Sequence, residues 1–97
     1  MRALARVVDV ETLAGLTLRV GFSDGLERDL DLEPMLISGV LEALRDPAVF
    51  AAVSVDRVAG TLTWPEAIDL DPDVLHGDAT PVNGPGPRLI AERRRTA

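Results

Sequence analysis

The sequence predicts a small α+β domain in which a mostly antiparallel β-sheet, a three-strand meander plus a second strand pair, carries a kinked helical segment on one face. Two alternating apolar segments flank a turn at 23–25, two short helical patterns follow, and two β-rich runs surround a loop that ends in Gly60. Because the chain has 97 residues, 46% of them hydrophobic, we expect one domain with a small core.

The central hairpin has a turn whose length follows from the alternation of its strands. A two-residue loop at Asp24 and Gly25 would set Phe22 opposite Glu27 and would leave the apolar face without an apolar partner. A three-residue loop pairs Phe22 with Leu26 instead, provided that Gly25 adopts the left-handed conformation that glycine tolerates. The sequence therefore predicts a positive φ at Gly25.

The outer face of the second hairpin strand carries a run of acids. This acidic row consists of Glu27, Asp29, Asp31 and Glu33. In the chosen register Arg19 lies opposite Asp29, a pair that contributes about 0.2 to 1 kcal/mol. The row is expected to face water and is the candidate partner-binding face. Arg28 falls on the inward side, where we expect its stem to lie along apolar surface and its head to reach water.

Prolines and capping residues divide the middle of the chain. Pro34 ends the third strand, and Ser38 is expected to cap a short helix over 39–44. Because Pro47 disfavours a helical conformation at Asp46, the helical segment is expected to break there, with Asp46 capping a second short helix.

A second strand pair is predicted over 53–55 and 61–64, and Pro65 ends it. The chain has three aromatic residues, so its core has few large side chains available. We therefore expect Trp64 to be buried against the helical segment around Phe50.

The single histidine, His76, follows three closely spaced acids, Asp69, Asp71 and Asp73. A histidine beside carboxylates suits metal binding or acid–base chemistry. The stretch lacks the glycine and the final glutamate of a calcium loop, however, and Asp71 is expected to cap a short helical turn. A minor enzyme or metal-dependent small-molecule binder using Asp69 to His76 is therefore the alternative hypothesis, and structural roles are preferred.

Composition narrows the classes of function. The absence of cysteine excludes disulfides, thiolate catalysis and cysteine metal sites. The start of the chain is interrupted by charge too early for a signal peptide, and no apolar run has transmembrane length, so we expect a cytoplasmic protein without a membrane partner. The net charge is −6, of which residues 1–76 carry −8, and an acidic body argues against binding to duplex DNA. No cofactor motif is present, and we expect no enzyme activity.

The composition changes after the histidine. We predict one compact domain over 1–76, followed over 77–97 by a Pro/Gly-rich linker and an arginine-rich flexible tail. The linker is long enough for the arginines from Arg88 to Arg95 to reach the acidic row. The tail is expected either to compete with a basic protein partner for this row or to clamp a second copy, forming a homo-oligomer.

Five motifs in a fixed order resemble a known family. They are Phe22-Ser23-Asp24-Gly25, Asp31-Leu32-Glu33-Pro34, Leu44-Arg45-Asp46-Pro47 with Phe50, Gly60-Thr61-Leu62-Thr63-Trp64-Pro65, and Asp69-Leu70-Asp71-Pro72-Asp73-Val74-Leu75. Their spacing is similar to that of the small bacterial family catalogued as Domain of Unknown Function 2442, over Val7 to His76. The family commonly has a tyrosine where this chain has His76.

The resemblance implies a compact α+β fold with a helical segment on a mostly antiparallel sheet, and it brings no established catalytic residues. Members of the family are often encoded beside another small protein, and some of these pairs are proposed to be toxin–antitoxin modules. The resemblance thus implies a protein-interaction role, in which this chain is the acidic, antitoxin-like or regulatory member and its partner is a small basic protein.

Overall fold

The computed structural model describes residues 5–36, 39–65, 68–79, 81 and 85–95. The strands are β1 (Val7–Thr12), β2 (Thr17–Phe22), β3 (Leu26–Asp31), β4 (Ser54–Asp56), β5 (Thr61–Trp64), β6 (Ile68–Leu70) and β7 (Arg88–Arg94), and the helices are α1 (Pro47–Ala51) and α2 (Pro72–His76). Two 3₁₀ segments, Glu33–Met35 and Gly39–Arg45, precede α1. One antiparallel sheet has the order β1-β2-β3-β7 and the other β4-β5-β6, so the α+β prediction is confirmed.

The predicted hairpin register is confirmed. Leu18 lies opposite Leu30, and the two strands are joined by the three-residue loop 23–25. Gly25 has a φ of 90°, and its N–H donates a hydrogen bond of 3.0 Å to the carbonyl oxygen of Phe22. The alternation of apolar residues therefore selected the loop length, and glycine supplied the backbone conformation that this loop requires.

A single hydrophobic core takes side chains from both sheets and from the helical segments. Its fully buried large members are Leu18, Leu30, Leu32, Leu36, Leu44, Leu62, Leu75, Val7 and Val20. Trp64 is also buried, and its indole N–H donates a hydrogen bond of 3.1 Å to the carbonyl oxygen of Phe50. The prediction that Trp64 packs on the helical segment is thus confirmed.

Two aspartates begin the α-helices as predicted. The side chains of Asp46 and Asp71 each accept a hydrogen bond of 2.9 Å from the backbone N–H two residues later. Proline is the first residue of both helices, where its missing N–H costs nothing. The change from the 3₁₀ segment to α1 at Asp46 is the predicted kink. The expected cap Ser38 lies outside the described residues. None of the helices in the described ranges is long and apolar enough to cross a bilayer.

The C-terminal segment differs from the expectation of a flexible tail. Arg88–Arg94 forms β7, which pairs antiparallel with β3 and adds a fourth strand to the first sheet. All of its side chains are exposed or only partly buried, and its sequence lacks the apolar alternation that predicts a half-buried strand. Its partners are backbone groups and acids of β3, far away in the sequence, which is why local patterning missed it.

The second sheet also gains a strand. The segment 68–70 pairs with β5 as β6. The predicted strand pair is therefore part of a three-stranded sheet.

Candidate functional site

The outer side of β3 presents three carboxylates at alternate positions, as the period of a strand requires. We call the side chains of Glu27, Asp29 and Asp31 the acidic face. Glu27 is only 9% exposed and Asp29 only 5% exposed. The expectation that these two acids face water is therefore wrong, because arginine side chains cover them.

Asp29 is paired with arginines from two different strands. Its carboxylate accepts hydrogen bonds from Arg19 Nε at 2.9 Å and from Arg93 Nη2 at 3.0 Å. Arg19 comes from β2, as predicted, and Arg93 from β7. The hydrogen bonds from Arg19 and then Arg93 hold the pKa of Asp29 well below its usual range.

Glu27 is enclosed by two arginines from the C-terminal end of the described chain. Arg93 Nη1 lies 2.6 Å from Glu27 Oε1, and Arg95 Nη2 lies 2.6 Å from Glu27 Oε2. Hydrogen bonds from Arg93 and Arg95 lower the pKa of Glu27. Both carboxylates therefore stay ionised at neutral pH, as partners for guanidinium groups.

Arg95 extends the contact across the whole sheet. Its Nη2 also lies 3.0 Å from Asp9 Oδ2 on β1, so the side chain crosses β2. The crossing point is Gly21, where an added Cβ would lie 3.0 Å from Arg95 Cζ. A glycine at this point of β2 therefore leaves room for the guanidinium group against the backbone.

The remaining members of the predicted acidic row have different surroundings. Asp31 Oδ2 lies 2.7 Å from Nη2 of Arg88, whose side chain is exposed. Glu33 is not on the face, because Leu32 has helical backbone angles and the chain leaves the strand for a 3₁₀ segment that contains Glu33 and Pro34. The prediction that Glu33 extends the row is wrong, since the strand alternation ends at Asp31.

Arg28 lies on the opposite side of β3 and connects this strand to β7 and α2. Its Nε lies 2.9 Å from Glu92 Oε1 on β7, and its Nη1 donates a hydrogen bond of 2.9 Å to the carbonyl oxygen of Leu75 in α2. The side chain is mostly buried, so the expectation that its head reaches water is wrong. An arginine on the inward side is tolerated because the end of α2 offers it a carbonyl acceptor.

His76 meets acids other than the three that precede it. Its Nε2 lies 2.7 Å from Asp24 Oδ2, its Nδ1 lies 2.8 Å from Asp78 Oδ2, and its ring packs edge-on against Phe22. Burial raises the pKa of Asp24, but hydrogen bonds from the Leu26 N–H and from His76 outweigh it and lower this pKa overall.

The acids of the alternative hypothesis are not gathered around the histidine. Asp71 caps α2, and Asp69 is exposed on β6. Within the described residues, no group of three or more His, Cys, Asp or Glu side chains is arranged to hold a metal ion. The histidine instead connects α2 to the hairpin loop.

A cleft of about 500 Å³ lies between the β1–β2 loop and α1. The residues that line it are Thr12, Leu13, Gly15, Leu16, Arg45, Pro47, Phe50 and Ala51. This lining is mainly apolar with one guanidinium group, and it does not combine a nucleophile with a base.

The sequence places the arginines of 88–95 within reach of the acidic row, but it does not predict that they form a strand or which arginine meets which acid. Arg93 and Arg95 are two residues apart, as are Glu27 and Asp29. Side chains two apart on a strand lie on one face, so the matching spacing of opposite charges was an available signal for strand pairing.

Comparison with known proteins places the chain in a family. The sequence matches the family described as protein of unknown function (DUF2442) over residues 7–80. The chain belongs to this family. No curated protein and no solved structure matches it. The matched region of this DUF2442 protein includes β1 to β6 and the acidic face, whereas β7 lies beyond it.

Proposed function

We propose that this DUF2442 protein is a non-catalytic protein-interaction module, the antitoxin-like or regulatory member of a two-protein pair, which binds a small basic protein through the acidic face. One observation carries the proposal. The face is covered by a basic segment, with contacts of 2.6 to 3.0 Å between the guanidinium groups of β7 and its carboxylates. A basic partner segment with arginines at alternate positions would make the same kind of contact.

The attachment of β7 is of a kind that a partner can replace. Leu89 is 45% exposed and Ile90 is 53% exposed, so the apolar side chains of this strand contribute little burial. The strand is held by backbone pairing and by ion pairs whose arginine side chains, Arg88 and Arg93, remain at least 40% exposed, so they can be exchanged for the guanidinium groups of a partner. In the free protein β7 protects the face, and in the complex the partner takes its position along β3.

The ionisation of the face supports binding over catalysis. A general acid or base works best with a pKa near the working pH. The pKa values of Glu27 and Asp29 are shifted downwards, away from neutrality, by their arginine partners. Permanently charged carboxylates suit the recognition of a basic surface, where charge complementarity provides specificity and rapid association.

The test is co-expression with the protein encoded by the adjacent gene, followed by co-purification and titration of the separated proteins. We expect a complex that weakens strongly between 0.1 and 1 M salt, since the Debye length falls from about 10 Å to about 3 Å. Replacing both buried acids, Glu27→Gln with Asp29→Asn, should abolish the complex.

The matched control is Asp69→Asn, which removes one exposed acid from the other sheet. This variant should bind like the unmodified protein. Equal binding by the double variant and the control, or an affinity that salt does not change, would refute the assignment of the partner to the acidic face.

A further inference from the structure

We propose that β7 exchanges between two copies of this chain, so that the β7 of each copy pairs with β3 of the other. The resulting dimer is held by the same strand register and the same arginine–carboxylate contacts as the single chain. This inference goes beyond the binding of a basic protein, because it needs no second protein.

The first observation is that β7 contributes no residue to the buried core. Every side chain of the strand is exposed or only partly buried, and its sheet partner is β3 alone. The contacts to be exchanged include the backbone pairing from Leu26↔Arg94 to Asp31↔Arg88, the ion pairs of the acidic face, the pair between Arg28 and Glu92, and the contacts of Arg94 with Asp24 and of Arg95 with Asp9. A second copy supplies all of them in the same register.

The second observation concerns the connection before β7. Residues up to Ala79 are anchored, because the N–H of Ala79 donates a hydrogen bond of 3.2 Å to the carbonyl oxygen of Asp73. The eight residues 80–87 have the sequence Thr-Pro-Val-Asn-Gly-Pro-Gly-Pro. Fully extended, they span about 26 to 29 Å. This reach is comparable to the two shorter dimensions of the protein, 27 and 26 Å, so the strand can arrive at an adjacent copy.

The connection contains three prolines, Pro81, Pro85 and Pro87. Pro81 and Gly86 lie side by side, since a Cβ on Gly86 would be 3.5 Å from the ring of Pro81. Proline-rich segments prefer extended conformations. In the exchanged form that we propose, an extended connection separates Pro81 from Gly86, and β7 pairs with the β3 of a neighbouring copy.

The charges of Glu27 and Asp29 favour a strand with arginines at the edge of β3 that β7 has left. Without β7 and Arg95, Glu27 loses Arg93 and Arg95, whereas Asp29 loses Arg93 and keeps Arg19. The β7 of a second copy returns Arg93 and Arg95 at the spacing of the two acids. The closed and exchanged forms make the same contacts. Because the exchanged form contains two chains, raising the protein concentration favours it.

Disulfide trapping tests the exchange directly, because the chain contains no cysteine. Asp31 and Arg88 face each other across β3 and β7. Full-length chains carrying only Asp31→Cys are mixed with isotope-labelled chains carrying only Arg88→Cys, at high protein concentration under mild oxidation. We expect a disulfide-linked dimer of the two different chains, at least several-fold more abundant than with Asp69→Cys in place of Asp31→Cys.

An intramolecular disulfide serves as the control for this experiment. The double variant with Asp31→Cys and Arg88→Cys in one chain shows by its internal disulfide that the pair can oxidise. If that bond forms in the dilute double variant while the mixture yields no more linked dimer than the Asp69→Cys control, the exchange is refuted.

Charge complementation provides an independent measurement. Glu27→Arg and Arg95→Glu each place like charges together within one chain, whereas mixing the two variants restores opposite charges across copies. We expect the mixture to sediment as a 1:1 heterodimer while each variant alone remains a monomer.

The matched control replaces Arg94, whose guanidinium group donates to the backbone carbonyl oxygen of Asp24 and not to an acid of the face. Arg94→Glu should not form a heterodimer with Glu27→Arg. Two folded variants that stay monomeric after mixing would overturn the inference, and that result would leave the test with the basic partner unaffected.

Discussion

Replacing Trp64 by alanine tests how the second sheet is joined to the helical segment. The indole is 3% exposed, its ring centre lies 6.5 Å from that of Phe50, and its N–H donates to the Phe50 carbonyl oxygen. Burying an aromatic side chain removes roughly 150 to 250 Å² from water, which at about 25 cal/mol per Å² corresponds to about 4 to 6 kcal/mol. Because alanine keeps the β-carbon and the surroundings relax in part, we expect a loss of about 3 to 5 kcal/mol in the free energy of unfolding.

Urea unfolding followed by circular dichroism measures this loss, since the variant has no tryptophan to report by fluorescence. Domains of this size are stable by about 5 to 15 kcal/mol, so the variant should be marginally folded. With a slope of about 1.3 kcal/mol per molar urea, the midpoint should fall by roughly 2 to 4 M. Trp64→Phe keeps most of the buried surface and should lose about 1 to 2 kcal/mol with the hydrogen bond. A loss below about 1 kcal/mol for Trp64→Ala, or a red-shifted emission maximum of the unmodified protein, would contradict this placement of the indole.

Three further predictions concern the turn, the acids and the histidine. Gly25→Val should lower the free energy of unfolding by more than about 1 kcal/mol, because a β-branched residue is strained at a φ of 90°; a melting temperature equal to that of the unmodified protein would contradict this. The pKa values of Glu27 and Asp29 are lower in the folded than in the unfolded protein, so the unfolded state binds more protons in acid. The contribution of these acids to the free energy of unfolding should therefore be fully present above their ordinary pKa values, 4.5 for Glu27 and 3.8 for Asp29, and should be lost as the pH falls below them. Glu27→Gln with Asp29→Asn should flatten this pH dependence. Millimolar Zn²⁺, Mn²⁺ or Mg²⁺ should leave the melting temperature unchanged; a rise of several degrees that Asp71→Asn with His76→Ala removes would restore the metal hypothesis.

The elements that could be predicted are those that depend on neighbouring residues. The alternation on either side of Gly25 determined the hairpin register, because a one-residue shift would move every apolar side chain to the other face. Asp46 and Asp71 were recognisable as caps because a short acceptor side chain before a proline satisfies the first free N–H groups of a helix. Composition predicts that Trp64 belongs to the core, because a domain with few aromatic residues has few other large side chains to bury.

The partners of charged residues could not be predicted in the same way. The sequence groups His76 with the acids that precede it, but the fold pairs it with Asp24, 52 residues away. Arg28 was expected to reach water, but the end of α2 supplies the Leu75 carbonyl oxygen as an acceptor. Such partners belong to different elements, and the packing of those elements determines which groups come within a few ångströms.

The sequence by itself determined the α+β class, the register of the central hairpin, the capped helices and the family of this DUF2442 protein, because each depends on the order and spacing of nearby residues. Only the tertiary structure decided that the C-terminal arginines form a strand and which acid each of them covers. Arg93 and Glu27 are 66 residues apart, and β7 has no apolar periodicity of its own. The strand forms because the folded sheet presents an open edge of backbone hydrogen-bonding groups beside two carboxylates, and both requirements exist only after β3 has taken its place.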